Sequence, residues 1–202
     1  MRKTIFWFGS MILLSALTSL AHANAVVQVQ DSKGHGLQDV VVYAEPASGK
    51  SAAKSATAEI EQKNKTFIPL VTVVQTGTSI SFPNNDTVRH HAYSFSPAKP
   101  FELKLYSGKP AAPIVFDKAG TVIVGCNIHD QMVAYIRVVD TPFFAKTDHD
   151  GNAHLPAMPN GQYVLKTWYY KQLTGNEVQQ QDWQFTNDSA PLVVKLSAEI
   201  KN

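Results

Sequence analysis

Cysteine is the scarcest residue type in this chain: Cys126 is the only one among 202 residues. An internal disulfide is therefore excluded, because it needs two thiols. In an oxidising compartment, a single exposed thiol would be a liability. In such a compartment we expect Cys126 to be buried as a small apolar side chain, or to serve as a reactive thiol or a metal ligand.

Sustained helical periodicity is also missing. Short runs of Val, Ile, Phe, Thr and Tyr recur between turns rich in Gly, Pro, Asn and Asp, which is typical of β-strands. The sequence therefore predicts an all-β fold. It also has no G-x-S-x-G, paired-carboxylate or phosphate-loop arrangement, so we do not expect an enzyme.

The N-terminus has the features of a secretory signal peptide. Arg2 and Lys3 precede an uncharged apolar run over residues 5–20, and Ala-His-Ala at residues 21–23 is a small-x-small cleavage pattern. A single membrane anchor is the alternative, but the run is short for a bilayer core of about 30 Å. We expect cleavage after Ala23, a periplasmic protein, and no stable membrane insertion after cleavage.

Net charge is small once this leader is set aside. Residues 1–23 carry two basic and no acidic residues, so the 18 Lys and Arg of the chain fall to 16 and equal the 16 Asp and Glu. A chain without excess positive charge gives no reason to expect nucleic acid or an anionic membrane surface as a partner.

The sole cysteine lies in the stretch GCNIHDQM, residues 125–132, where Cys126, His129 and Met132 follow one another at intervals of three. Three explanations fit these residue types: a reactive thiol, a buried apolar cluster, or three ligands of a metal site. As a pattern, C-x2-H-x2-M is only moderately specific, so the surrounding sequence has to decide.

FIPLVTVVQTGTSISFPNN, residues 67–85, contains F-x-P, a V-x-V strand, a Gly turn, an apolar strand and Asn-Asn. This layout resembles the cupredoxins, the plastocyanin-type small copper proteins. C-x2-H-x2-M followed by VAYIRVV is similar to the ligand loop of amicyanin. It departs from that loop at Asn127, Ile128 and Asp130, where amicyanin has Thr-Pro and Pro, and the missing prolines leave the loop less fixed.

This resemblance implies one type 1 copper ion, held by Cys126, His129, Met132 and one histidine from further upstream. The chemistry of these residues agrees, because copper that cycles between Cu(I) and Cu(II) favours a thiolate, two neutral imidazoles and a weak axial thioether. Zinc is the competing metal, but structural zinc takes four Cys or His ligands and rarely takes Met.

Two adjacent histidines are candidates for the upstream ligand. Six residues counted from Asn84, as the resemblance suggests, lead to His90. Strand alternation favours His91 instead, because His91, Tyr93 and Phe95 share one face of a strand and are bulkier than the residues between them. We favour His90 and keep His91 as the alternative.

The flanking segments resemble a different module. VQVQDSKGHGLQDVVVYAEP and TDHDGNAHLPAMPNGQYVLKTWYY are similar to the early and late strands of prealbumin-like modules related to carboxypeptidase regulatory domains. The expected architecture is a Greek-key cupredoxin β-sandwich inserted in, or packed beside, a small prealbumin-like β-sandwich. The divisions are a signal peptide at 1–23, first prealbumin-like strands at 24–50, a cupredoxin domain at 55–140, and the remaining strands at 141–202.

The whole arrangement resembles exported proteins labelled methylamine utilization proteins. It implies a carrier of single electrons between redox proteins, such as a periplasmic dehydrogenase and a c-type cytochrome. Two alternatives stay open: a periplasmic copper storage or delivery protein with the same ligands, and a metal-free carbohydrate or adhesion module. The second alternative would use the aromatic side chains Trp168, Tyr169, Tyr170 and Trp183.

Turn residues account for the remaining candidates. Asp148 and Asp150 with Gly151 suggest a calcium loop, but the EF-hand spacing and its distal Glu are missing, so a β-turn is favoured. The histidines at 35, 149 and 154 lie in or near turns, and we expect them to be solvated.

Overall fold

The computed structural model describes residues 22–49, 52, 55–110, 112–172 and 178–196. Within these ranges the chain forms seventeen strands and no helix, and therefore none that could cross a membrane. The strands are β1 His22–Gln30, β2 Val41–Pro46, β3 Thr57–Glu59, β4 Glu61–Lys63, β5 Thr66–Ile68, β6 Val71–Gln75, β7 Thr78–Ser81, β8 His90–Ser94, β9 Phe101–Tyr106, β10 Ile114–Phe116, β11 Gly120–Cys126, β12 Val133–Val139, β13 Phe144–Lys146, β14 Asn152–Pro159, β15 Gly161–Trp168, β16 Val178–Phe185 and β17 Leu192–Lys195. The all-β prediction is confirmed. The predicted leader, residues 1–23, lies outside the described residues except for the first two positions of β1.

Strands β3–β12 form a unit that we name the middle sandwich. Its larger sheet has the order β6-β12-β11-β8-β9, its smaller sheet has the order β10-β7-β3, and β4 and β5 form a separate hairpin. β12 runs parallel to β6, whereas β11 is antiparallel to both β12 and β8. A parallel pair cannot be closed by a tight hairpin, so the chain passes through the intervening strands before β12 returns beside β6.

Alternate residues of each strand fill the core of the middle sandwich. In β11, Val122, Val124 and Cys126 face inward and are buried, while Ile123 between them is exposed. Successive side chains of a strand point to opposite faces, so the alternation that buries the two valines also carries the cysteine inside. The thiol therefore lies at the end of a core strand.

The remaining strands form a second unit, the flanking sandwich. Its two sheets have the orders β14-β1-β17 and β13-β2-β15-β16, and they share one apolar core. β2 and β13 are hydrogen-bonded neighbours, although all of β3–β12 lies between them in the sequence. One β-sandwich is therefore inserted in another, as predicted. The likeness of the flanking sandwich to prealbumin-like modules and the residue boundaries stay predictions.

A third apolar cluster joins the two sandwiches. Trp168 and Tyr43 of the flanking sandwich pack there with Val71 and Val139 of the middle sandwich. The guanidinium of Arg137, on β12, donates to the Tyr43 hydroxyl over 2.8 Å and lies 5.5 Å from the centre of that ring. The flanking sandwich therefore covers the outer face of β12, the strand that follows the C-x2-H-x2-M loop.

We expect Trp168→Ala to lower the free energy of unfolding by about 3–5 kcal/mol, because it empties the centre of this cluster and the side chain is only 1% exposed. Chemical denaturation would measure the change. The matched control is Phe95→Ala, which truncates an aromatic side chain that is 87% exposed. A loss no larger than that of the control would show that the cluster does not stabilise the protein.

Candidate metal centre

β8 carries the two adjacent histidines, and they face opposite sides of the sheet. His90, Ala92 and Ser94 point into the core, and His90 is fully buried. His91 points outward, where its Nε2 lies 3.0 Å from Glu102 Oε1. The bulkier set of β8 residues is therefore on the outer face. Larger side chains were expected to face the core, which favoured His91, but in β8 the core receives the smaller set that contains His90.

The thiol comes from the neighbouring strand. Cys126 ends β11, is 4% exposed, and lies opposite Ala92 in the antiparallel pair of β11 with β8. The backbone N–H of Asn127 donates to the carbonyl of His91 over 3.2 Å, which extends this pairing beyond the strand. Strand pairing thus brings the upstream histidine and the cysteine together from positions 36 residues apart.

The loop after β11 turns back on itself. The N–H of Met132 donates to the carbonyl of His129 over 2.9 Å, so the loop closes in a tight turn before β12 begins. Met132 is buried and belongs to the same apolar cluster as Cys126. His129 is half-buried, and Ile128 and Asp130 on either side of it are exposed. The turn directs His129 back toward the cysteine while one side of the loop stays open to solvent.

Three donor atoms converge at this point. The Nδ1 atoms of His90 and His129 are 3.2 Å apart, and they lie 3.8 and 3.9 Å from Cys126 Sγ. The two imidazole rings are inclined at 64° with their centres 5.0 Å apart, so they meet edge to face and do not stack. The structure thus brings together His90, Cys126 and His129, which are three of the four predicted ligands. His91, the alternative to His90, lies outside this group.

The size of this triangle fits a transition-metal ion. The point equidistant from its corners, for sides of 3.2, 3.8 and 3.9 Å, lies about 2.1 Å from each atom, which is close to the zinc–nitrogen and zinc–sulfur bonds of about 2.0–2.3 Å in protein metal sites. One soft sulfur and two imidazole nitrogens also form the donor set that suits copper. The residues present therefore fit a copper ion in both distance and chemistry.

Asp86 contacts the far side of the His90 ring, and sequence reasoning missed this contact. Its Oδ2 lies 3.0 Å from His90 Nε2 and accepts the backbone N–H of Lys65 over 2.7 Å. The pKa of Asp86 is lowered to about 2, mainly because its carboxylate accepts the Lys65 N–H and secondly because it contacts His90. The available signal was the four-residue spacing from Asp86 to His90 in the Asn-x-Asp-x-x-x-His stretch.

Asn84 braces the loop that leads into β8. Its side-chain amide donates to the carbonyls of Val88 and Tyr106, and its Oδ1 accepts the backbone N–H of Asp86. Asn84 is itself buried, so these polar atoms gain partners that solvent would otherwise provide. The loop is fixed at the residues that position both Asp86 and His90.

The other candidates have structural explanations. The carboxylate of Asp148 accepts the backbone N–H groups of Asp150 and Asn152, which is the β-turn expected from the sequence. The exposed group Asp148, His149 and Asp150 therefore has a turn-forming role. Of the four aromatic residues considered for sugar stacking, three are buried in apolar clusters: Trp168, Tyr169 and Trp183.

No protein-family model and no curated protein matches this chain. Several solved structures match part of this chain. A purple cupredoxin from Nitrosopumilus maritimus is 21% identical over 41% of this chain and 99% of its own, with a TM-score of 0.36. A reduced amicyanin variant is 13% identical over 50% and 99%, with a TM-score of 0.38. A copper-containing nitrite reductase from Thermus scotoductus is 24% identical over 46% of this chain but only 25% of its own, with a TM-score of 0.38.

These similarities cover half of this chain or less. Assignment of a function therefore has to come from the side chains of the site itself.

Proposed function

We propose that this protein is a type 1 copper protein that carries single electrons between exported redox partners. The observation that supports this most strongly is the triangle formed by His90, Cys126 and His129. Copper bound there would supply reversible one-electron exchange between Cu(II) and Cu(I). Met132 completes the proposed ligand set as the weak thioether donor.

Each residue of the set has a distinct task. Cys126 would supply its sulfur, the softest donor that a protein offers, to a bound copper ion, and its burial shields it from other oxidants. His90 and His129 would each present an imidazole Nδ1, 3.8 and 3.9 Å from the Cys126 sulfur. The buried thioether of Met132 would add a soft and weak fourth donor to the same ion.

Backbone hydrogen bonds hold the strands and the turn that carry these donors. β8 and β11 are paired next to the site, and the turn at His129 is closed by a backbone hydrogen bond. A site whose donors keep their positions in both oxidation states requires little reorganisation when an electron arrives. This rigidity suits an electron carrier better than a protein that must release its metal.

The exposed edge of the loop is the proposed port for electrons. His129 is the ligand nearest to solvent, and Ile128 beside it is 49% exposed and offers an apolar contact to a partner. Asp130 adds a negative charge that would favour a partner with a positive docking face. The proposed partners are a periplasmic dehydrogenase and a c-type cytochrome, with no role for nucleic acid.

The proposed location is the periplasm, reached through a leader cleaved after Ala23. The proposed divisions are 24–50 and 141–202 for a prealbumin-like module and 55–140 for a cupredoxin domain. A role in methylamine utilization is part of the same proposal. Its support is the sequence resemblance of the two flanking segments and the insertion of one sandwich in the other.

A visible absorption spectrum of the copper-loaded protein tests the proposal. We expect an intense thiolate-to-copper charge-transfer band that disappears on reduction and returns on oxidation. A protein that stays colourless with copper bound contradicts the proposal. Slow, reversible loss of copper to a partner chelator would instead favour copper storage or delivery, whereas a retained and intensely coloured site favours electron transfer.

Met132→Leu should leave copper bound and raise the reduction potential. Leu nearly conserves the buried volume but removes the weak sulfur donor. That donor stabilises Cu(II) more than Cu(I), so its loss favours Cu(I). Each tenfold preferential weakening of Cu(II) binding raises the potential by about 60 mV. Protein-film voltammetry measures the shift. Met158→Leu, in the core of the flanking sandwich, is the matched control and should leave the reduction potential unchanged. Complete loss of copper from Met132→Leu would contradict the role of Met132 as a weak donor.

A further inference from the structure

We propose that Asp86 is a positioning residue that places the N–H of His90 on Nε2 and so keeps the Nδ1 lone pair directed at Cys126 and His129. This inference rests on the proposed copper function for its consequences. The hydrogen-bonding arrangement itself can be examined in the metal-free protein.

The two nitrogens of His90 face different surroundings. Nε2 lies 3.0 Å from Asp86 Oδ2, while Nδ1 lies 3.8 Å from Cys126 Sγ and 3.2 Å from His129 Nδ1. A neutral imidazole has one N–H, and an ionised carboxylate can only accept. The N–H therefore belongs on Nε2, where it donates to Asp86, and Nδ1 is left as the acceptor or metal-binding atom.

Asp86 is itself held by two backbone donors, one from another segment and one from the residue that follows it. Oδ2 accepts the N–H of Lys65 over 2.7 Å, and Oδ1 accepts the N–H of Thr87 over 2.8 Å. Lys65 and Asn64 form the tip of the β4–β5 hairpin, and both have positive φ, at 55° and 51°. This turn conformation presents the Lys65 N–H to the carboxylate. The hairpin thus contributes to the site without supplying a ligand.

A direct metal-binding role for Asp86 does not fit this geometry. The carboxylate lies on the Nε2 side of the ring, opposite the nitrogen that faces the thiol, and it does not belong to the convergent group of His90, Cys126 and His129. Its side chain is 9% exposed and already holds three donors. Its effect on a metal would therefore pass through the ring of His90.

The consequence is a stronger and better directed imidazole donor. A carboxylate that accepts the N–H of a ligating histidine fixes the tautomer and increases the basicity of the other nitrogen, and loss of such a partner costs about 10–100-fold in metal affinity. A more basic nitrogen favours Cu(II) over Cu(I). Asp86 should therefore tighten copper binding and lower the reduction potential.

The first experiment uses the metal-free protein. Long-range proton–nitrogen NMR correlations identify which imidazole nitrogen carries the proton, at a pH at which imidazole is neutral. We expect a single Nε2–H tautomer for His90 in the wild-type protein and a mixture of tautomers in Asp86→Ala. An Nδ1–H tautomer in the wild-type protein overturns the proposal, whether or not any variant folds.

The second experiment uses the copper-loaded protein. Asp86→Ala should bind Cu(II) about 10–100-fold more weakly and have a higher potential, and Asp86→Asn, which keeps an acceptor oxygen, should restore part of both. Asp117→Ala is the matched control, because it removes an exposed carboxylate that pairs with Lys99. Equal potentials and affinities for the Asp86 and Asp117 variants overturn the proposal. A wild-type protein that binds no copper refutes the proposed function instead, and the tautomer result then stands by itself.

Discussion

Cys126→Ser should abolish the charge-transfer band completely. The band requires a thiolate bonded to copper, and a serine hydroxyl at neutral pH is neither deprotonated nor soft. The chain has no second cysteine that could replace it. Visible absorption and electron paramagnetic resonance of the copper-loaded variant would measure the loss. Any copper that the variant retains should have the spectrum of an ordinary nitrogen and oxygen site.

The fold should survive this change. Cys126 is one side chain in a core that includes Val122, Val124 and Ile136, and the replacement is close in size. Ala92→Ser is the matched control, because Ala92 lies opposite Cys126 in the strand pair and is equally buried. It places a hydroxyl beside the site but leaves every ligand in place, so its band should persist. An unchanged band in Cys126→Ser would refute the ligand assignment.

His90→Gly should bleach or shift the band, and added imidazole should restore it in part. His90 is fully buried with Nδ1 facing the thiol, so its removal opens both a coordination position and a cavity of the right shape. The measurement is a titration of the copper-loaded variant with imidazole, followed by visible absorption. Without imidazole, water would occupy the position and change the geometry of the site.

His91→Gly is the matched control for this prediction, because it removes the same side chain from the adjacent position of the same strand. His91 faces outward toward Glu102, so the spectrum should stay nearly unchanged and imidazole should have no effect. Thermal unfolding of both variants would separate loss of a ligand from loss of β-strand stability. If His91→Gly bleaches the band and His90→Gly does not, the upstream ligand is His91.

Local sequence was sufficient for the parts of the site that lie within one short segment. The spacing of Cys126, His129 and Met132 in a loop between two strands follows directly from the order of residues. Strand alternation in β11 then places Cys126 on the same face as the two buried valines. Both inferences depend on neighbours along the chain, which a sequence displays.

In β8, the local sequence does not determine which of the two histidines faces the core. A period of two separates His90 from His91 but does not say which face is the core. Side-chain size suggested His91, yet the interior already holds Phe82, Phe116 and other large residues, so the small partners of His90 fit there. Only the packing of the opposite sheet decides the question.

Several features of the protein were determined by its sequence alone: the all-β class, the order of the two sandwiches along the chain, and the order of the candidate ligands. The tertiary structure decided which histidine faces the thiol and how far apart the donors lie. It also decided that Asp86 contacts His90 and that the β4–β5 hairpin donates a hydrogen bond to Asp86. The physical reason is one of range. Alternation, turns and short motifs arise between residues close in sequence, whereas the donor triangle depends on β8 pairing with β11, and on a hairpin that docks from 21 residues away.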